Sequence, residues 1–316
     1  MQTSYIVIHA LLPIFAIICT GYLARRLGWI NEAADRSIMT LIVNLLYPCL
    51  IFSFILNNDA LRQVTNILVP PLFGFISVIL GFLLAGLVAK KLNLSSKQEC
   101  RTFSVSSGIY NYAYFAIPIA TLLFDRETIG VLLVYNVGIE AAMWIVGVGY
   151  ILAGKENKSL VTRIFNGPVI AICIAVPANS IGIGQLLPSF IDSSLQQLGQ
   201  CTIPLGLILI GATFADIVGK NSLLGQIRIP AVACALRLAI LPIVMLAAAF
   251  LLPISAELKK VVIVQAAMPC GVFPILLARH YNGVALIAIQ VALGTTLVSC
   301  ISIPIWINFG LQLLGN

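Results

Sequence analysis

Long apolar stretches separated by short polar connections dominate the chain. About 20 consecutive apolar residues are enough to cross a lipid bilayer as a helix. Two apolar stretches are each interrupted by one charge, at Glu140 and at Arg237. The uncharged stretches are 1–24, 37–58, 63–89, 102–124, 164–191, 193–215, 261–278 and 281–316. The pattern predicts an all-α integral membrane protein with ten transmembrane helices, called spans 1 to 10 here.

Prolines recur at a constant spacing within these spans. Pro48 and Pro204 are 156 residues apart, and so are Pro118 and Pro274. Prolines are common in membrane helices, so one matched pair could arise by chance. Two pairs in a single register favour two structural repeats, a pattern typical of secondary transporters.

Spans 4 and 9 are expected to be broken near the middle of the membrane. Proline removes a backbone donor, and glycine weakens a helix. Span 9 contains Pro269, Gly271 and Pro274 close together, and span 4 contains Pro118. A second half-helix beginning at Pro118, and another at Pro274, would direct its positive N-terminal end toward the centre. These breaks predict an anion site built largely from backbone, as in other transporters with broken helices.

Charge is scarce and unevenly distributed. Only 9% of the residues are charged and 60% are hydrophobic, whereas a soluble domain has about a quarter charged residues. The net charge of +7 predicts topology rather than a nucleic-acid partner, because 13 basic residues fall on one side of the predicted spans and four on the other. This asymmetry places both termini on the non-cytoplasmic side, and we expect the inner (cytoplasmic) membrane of a bacterium. Each repeat, 1–155 and 156–316, would contain five spans. Because five is an odd number, the second repeat would be inverted relative to the first.

Motifs for metal binding or catalysis are not found in the sequence. The eight cysteines include no CxxC pair, and neither HExxH, GxSxG nor a Walker motif occurs. We therefore expect no metal site, no enzymatic activity and no cofactor other than a coupling ion, Na⁺ or H⁺.

Several motifs, taken in order along the chain, resemble those of the auxin efflux carrier family, which includes plant auxin exporters and bacterial malonate- and malate-type permeases. The matching motifs are Leu12-Pro13-Ile14-Phe15, Gly21-Tyr22-Leu23, the segment 44–48, Asn111 seven residues before Pro118, and the segment 268–274. The resemblance implies a ten-helix inverted-repeat fold, similar to that of sodium/proton antiporters and bile-acid transporters, with spans 4 and 9 crossing at their breaks. It also implies a scaffold of spans 1, 2, 6 and 7, a transport domain of spans 3–5 and 8–10, and a substrate contact at Asn111.

The candidate substrate site gathers polar and helix-breaking residues around the two breaks. Asn111 could instead satisfy the backbone of the broken helix. Arg237 could bind a substrate carboxylate, because the guanidinium fork matches a carboxylate. The candidate substrate-binding residues are Asn111, Tyr112, Pro118, Arg237, Cys270, Gly271 and Pro274.

Glu140 is the most informative charged residue, because a carboxylate at the centre of a membrane helix costs about 2.5–3.5 kcal/mol to insert. Two roles remain open. Glu140 could carry a proton or bind a coupling ion, with Asn136 one turn earlier on the same face. Alternatively, it could form a structural ion pair with Arg237.

These features together predict a secondary active transporter of a small organic anion, a mono- or dicarboxylate. It would work by elevator-type alternating access, driven by a proton or sodium gradient or by the membrane potential. A passive channel or a non-transporting membrane receptor remains an alternative, whereas an intramembrane enzyme does not fit the motifs. The expected partners are the organic anion and the lipid bilayer, and a homodimer is left open.

Overall fold

The computed structural model describes residues 2–92, 94–152, 165–218 and 227–315, and all regular secondary structure within these ranges is helical. The main helices are α1 Gln2–Arg26, α2 Glu32–Ile55, α3 Val64–Ala89, α4 Lys97–Gly108, α5 Ala116–Leu123, α6 Arg126–Gly149, α7 Gly167–Ser180, α8 Ser189–Asp216, α9 Arg228–Leu251, α10 Ala256–Ala267, α11 Phe273–His280 and α12 Ala285–Gly315. The predicted connection between the repeats, 153–163, lies outside the described residues, and so does the predicted boundary at 155/156.

Six of the described helices (α2, α3, α6, α8, α9 and α12) are long and apolar enough to cross a membrane. Helix α7 is a shorter apolar helix. Helices α4 and α5 follow one another across an interruption, and so do α10 and α11. The all-helical class is therefore confirmed, whereas the arrangement of ten spans in two inverted repeats stays a prediction.

Both predicted helix breaks are present. Helix α4 ends at Gly108, and Ile109 is extended. Helix α10 ends at Ala267, and the following residue, Met268, is also extended, as expected for a residue directly before a proline. The second half-helices start slightly earlier than predicted, at Ala116 and at Phe273. Each predicted proline therefore lies inside the first turn of its half-helix, where a missing N–H costs no helical hydrogen bond.

The two breaks meet and pair through their backbones. Tyr110 and Cys270 form an isolated antiparallel bridge. The N–H of Asn111 donates to the carbonyl of Pro269 at 2.8 Å, and the N–H of Gly271 donates to the carbonyl of Ile109 at 3.0 Å. Each break thus supplies hydrogen-bond partners for the other, as unwound backbone far from water requires.

The described helices pack in two groups. In the first group, α1 packs on α8, and α2 packs on both α7 and α8. In the second, α3 packs on α4 and α6, while α9 packs on α10 and α12. Contacts of α6 with α10 and of α4 with α12 join the two parts of the second group. We call the first set the outer group and the second set the crossing group.

Three of the helices that the structure describes contain a π-helical stretch. These stretches are Ile42–Leu46 in α2, Met143–Leu152 continuing α6, and Leu236–Ile240 in α9. Pro48 and Pro242 come within two residues of the first and third stretches, where a wider turn relieves the clash between a proline ring and the preceding turn. Wide turns of this kind are frequent at functional sites, and the first two contribute to the cavity described below.

Candidate functional site

A cavity of about 270 Å³ lies between the outer group and the crossing group. Its walls come from both breaks, from the middle of α6, and from helices α2, α7 and α8 of the outer group. Most of the lining side chains are apolar or aromatic. The polar ones are Tyr47, Tyr110, Asn111, Tyr112, Tyr114, Asn136, Glu140, Trp144, Asn166 and Thr213.

Glu140 provides the charge of this cavity, since it is the single charged side chain among the described residues that line it. Its Oε1 atom accepts a hydrogen bond from the Tyr112 hydroxyl. Its Oε2 atom accepts one from the indole N–H of Trp144 at 3.1 Å and another from the amide of Asn166 at 3.2 Å. The carboxylate is therefore surrounded by donors.

The Asn166 contact joins two helices from different groups. Asn166 is the N-cap of α7, where its Oδ1 atom accepts a hydrogen bond from the N–H of Val169 at 3.1 Å. That bond fixes which side of the amide faces Glu140, because the oxygen is already used in the cap. Helix α7 of the outer group is thus tied to α6 of the crossing group.

Arg237 is almost fully buried, with 1% of its surface exposed, and its side chain is hydrogen-bonded to backbone carbonyls. Its side chain donates to the carbonyls of Met268 at 2.8 Å, Gln265 at 2.7 Å and Ala266 at 3.1 Å. These carbonyls belong to the C-terminal end of α10, where a helix leaves acceptors unsatisfied. The guanidinium also lies over the ring of Tyr110, 4.2 Å from its centroid. Arg237 therefore caps the broken helix.

The ion pair with Arg237, one of the two roles left open for Glu140, is not formed. Both residues are described, and the hydrogen bonds of each go to other partners. The physical reason is that the negative end of the α10 dipole and its free carbonyls already compensate the arginine, while neutral donors satisfy the glutamate.

Asn111 lies at the crossing of the breaks and lines the cavity. The residue is buried, with 5% of its surface exposed, yet its Nδ2 atom has no hydrogen-bond partner. A buried amide donor without a partner carries an energetic cost, which a ligand could offset by accepting its hydrogen bond.

An amide network supports the break in span 4. The Asn136 amide donates to the carbonyl of Tyr112 at 3.2 Å, and the Gln265 amide donates to the same carbonyl at 3.2 Å. Gln265 also donates to the Oδ1 atom of Asn136 at 3.0 Å. The network links α6 and α10 to the unwound segment. Asn136 therefore holds Tyr112 in position through the backbone carbonyl of Tyr112.

The predicted site residues divide into two sets. Asn111, Tyr112, Asn136, Glu140, Gly271 and Pro274 line the cavity. Pro118, Arg237 and Cys270 are not among the described residues that line it. The backbone N–H of Cys270 donates to the hydroxyl of Thr295 at 3.2 Å, so this residue anchors the break against α12.

Sequence reasoning missed two polar features. One is the participation of Trp144 and Asn166 beside Glu140. The Asn-Gly-Pro sequence beginning at Asn166 indicates a helix start, but no local signal links it to a glutamate 26 residues earlier. The other is a buried cluster in which the hydroxyls of Ser77, Tyr110 and Tyr135 lie 2.8–3.2 Å apart.

Comparison with known proteins agrees with a membrane transport function. A family model described as "Membrane transport protein" matches residues 6–166 and 156–307. An uncharacterized transporter of Methanothermobacter thermautotrophicus is 22% identical over 94% of this chain and 96% of its own length. An uncharacterized transporter of Methanocaldococcus jannaschii is 22% identical over 93% of this chain and 96% of its own length. The chain therefore belongs to the auxin efflux carrier-like family of membrane transport proteins.

Proposed function

We propose that the protein is a secondary active transporter of a small carboxylate-bearing organic solute, working by elevator-type alternating access. The observation that carries the proposal is the position of the cavity. One wall belongs to the outer group and the other to the breaks of the crossing group. Displacing one group against the other would therefore change which side of the membrane the cavity faces.

Close packing inside each group supports rigid-body motion. On α1, a Cβ added at Gly21 would lie 2.1 Å from the carbonyl oxygen of Ile208 on α8. On α6, a Cβ added at Gly138 would lie 1.8 Å from the carbonyl oxygen of Pro71 on α3. Such backbone-to-backbone contacts lock membrane helices together. In this proposal the outer group is the scaffold (spans 1, 2, 6 and 7) and the crossing group is the transport domain (spans 3–5 and 8–10), within two inverted repeats.

The carboxylate would bind at the crossing of the breaks. The Nδ2 atom of Asn111, which is buried at this crossing without a hydrogen-bond partner, would donate to the carboxylate. Helix α11 begins at Phe273 in the cavity wall, so the positive end of the helix dipole would face the same region. Its N-cap, Val272, makes no side-chain capping bond. Gly271 and Pro274 line the cavity beside it. Because no Lys, Arg or His occurs among the described lining residues, we favour a solute with one carboxylate rather than two.

Glu140 provides a place for a positive charge in the cavity. That charge could come from a coupling ion, Na⁺ or H⁺, or from the solute itself. Asn136 would assist indirectly by holding the Tyr112 segment in place. We further propose that both termini lie on the non-cytoplasmic side, as the distribution of basic residues indicates.

Counterflow in proteoliposomes tests the proposal. Vesicles preloaded with an unlabelled solute should accumulate the labelled solute transiently if the protein is a carrier. The panel should contain monocarboxylates, dicarboxylates and amino acids, because the solute is unidentified. Flux that only dissipates the gradient would indicate a channel, and absence of flux across the panel would contradict transport of this solute class.

A further inference from the structure

We propose that the transported solute is a small zwitterion, whose carboxylate binds at Asn111 and whose ammonium group binds beside Glu140. This inference rests on the proposed function and specifies its substrate class. Its starting point is the charge of the cavity: the described lining residues carry one negative charge and no positive one. A simple anion would therefore enter a cavity of its own sign, whereas a zwitterion would complement both ends.

The groups around the Oε2 atom of Glu140 favour an organic cation over a proton on that oxygen. The indole of Trp144 can only donate, and the Asn166 amide presents its NH₂ group because its oxygen is held in the α7 cap. Protonation of Oε2 would therefore set a hydrogen directly against two donors, so a proton could sit only on Oε1, facing the Tyr112 hydroxyl. The same arrangement suits an ionised carboxylate, which only accepts hydrogen bonds and can accept one more from a further donor.

The surroundings also favour an organic cation over a metal ion. Hard cations are bound by several oxygen ligands at once. The groups that contact Glu140 present N–H and O–H donors toward it rather than free oxygens. Among the described residues, no cluster of three or more His, Cys, Asp or Glu side chains occurs that could hold a metal.

Aromatic rings complete the match to an ammonium group. Tyr112 and Trp144 flank the carboxylate, and Phe273 packs edge-on to Trp144 with ring centroids 6.1 Å apart. Tyr47 and Tyr114 line the same cavity. Aromatic rings around a carboxylate attract ammonium and quaternary ammonium groups through cation–π interactions. The cavity volume of about 270 Å³ fits a small metabolite.

Asn111 supplies the other pole of the site. Its unpartnered Nδ2 atom is buried in the cavity wall, and the adjacent residue, Tyr112, reaches Glu140. One short segment of the break thus presents a donor for a carboxylate and leads to an acceptor for an ammonium. A small solute carrying both groups can contact the two poles together.

Matched ligand pairs test the inference on the purified full-length protein. Glycine betaine and 3,3-dimethylbutanoate have the same shape and differ only in the positive charge. Leucine and 4-methylpentanoate form a corresponding pair for a primary ammonium group. We expect at least one zwitterion to bind about tenfold or more tightly than its anionic partner, which has the carboxylate but no positive charge, as judged by thermal shift titrations.

Two variants test whether Glu140 is responsible for the preference for the zwitterion. Glu140→Gln should abolish the preference for the zwitterion, whereas Glu127→Gln, the same change at the start of α6 outside the cavity, should retain it. If Glu140→Gln fails to fold, the comparison of each ligand pair on the wild-type protein still tests the inference. The inference is overturned if no zwitterion stabilises the protein, if the anionic partners bind equally well or if the preference survives Glu140→Gln. It is also overturned if NaCl protects relative to KCl while zwitterions do not.

The outcomes separate this inference from the proposed function. If monocarboxylates bind and undergo counterflow while zwitterions do neither, only the zwitterion inference fails. If a zwitterion binds but no solute undergoes counterflow, the transport proposal fails and the ligand assignment stands.

Discussion

The amide of Asn166 donates a hydrogen bond to Glu140 at 3.2 Å, and this bond crosses the boundary between the outer group and the crossing group. It lies in the wall of the cavity, so a displacement of the groups against each other would have to break it. The contact therefore couples the charge of the cavity to the relative position of the two helix groups.

Asn166→Asp should lower the melting temperature, because it keeps a capping oxygen for α7 but places a second carboxylate beside Glu140. Adding Glu140→Gln should restore a donor–acceptor pair and recover much of the loss. Contacting residues typically show coupling of about 0.5–3 kcal/mol in such double-mutant cycles. The matched control is Asn31→Asp at the N-cap of α2, where the change should be close to neutral. Strictly additive effects would contradict the contact.

Arg237→Met should destabilise the protein strongly. It removes the donors for the carbonyls at the end of α10, and each buried polar group left unsatisfied costs about 1–3 kcal/mol. Thermal unfolding in detergent would measure the effect, with the exposed Arg101→Met as control. Because Arg237 does not pair with Glu140, adding Glu140→Gln should give no recovery. Rescue by that second change would restore the ion-pair interpretation.

The ion pair between Asp125 and Lys260, 3.0 Å apart, should make stability sensitive to acid. Burial alone raises the pKa of the Asp125 carboxyl, but hydrogen bonds from Thr128 and Lys260 outweigh it and lower the pKa below its usual value of 3.8. A lowered pKa adds stability above the usual value, and this stability is lost as the pH falls below about 4. The pair is partly exposed, so we expect only about 0.2–1 kcal/mol.

Asp125→Asn isolates this contribution, because asparagine preserves the N-cap of α6 and loses only the charge. The melting temperatures of wild type and variant should differ at neutral pH and converge below about pH 4. A difference that persists unchanged into acid would show that the charge of Asp125 does not contribute.

Gly206 on α8 faces the ring of Tyr114 across the group boundary. A Cβ at this position would lie 2.0 Å from a ring carbon of Tyr114, so Gly206→Ala must displace the ring within the cavity wall. We expect a folded protein with a reduced counterflow rate. Gly86→Ala is the control, since the added Cβ would lie 3.5 Å from the Ser104 hydroxyl, an ordinary van der Waals distance. Equal rates for the two variants would argue against a tight boundary at Gly206.

The helix breaks could be predicted from the sequence because their cause is local. Pro269 forces Met268 out of the helical region, and the missing N–H of Pro274 fits the first turn of the next helix. The role of Arg237 could not be predicted in this way. Its partners are carbonyls exposed by a break about 30 residues away, and only the packing of α9 on α10 brings them together.

The cavity itself was only partly predictable. Asn111 and Glu140 stand out because amides and carboxylates are costly within apolar spans. Their neighbours do not stand out, because the sequence alone indicates only an apolar residue at Trp144 and only a helix cap at Asn166. Which donors surround Glu140 depends on how α6 and α7 pack, and a single sequence does not carry that information.

The affinity of Asn111→Ala for a carboxylate-bearing solute tests the central claim most directly. The measurement uses a solute that passes the counterflow assay, with binding followed by thermal shift titration of purified protein. Asn44→Ala is the control, because the Asn44 amide bonds the carbonyl of Thr40 within α2. A hydrogen bond to a charged group is worth about 1.5–3 kcal/mol, so Asn111→Ala should weaken binding by roughly 10- to 100-fold with the fold retained. Unchanged affinity in the Asn111→Ala protein would contradict the assignment and leave the residue as part of the helix break alone.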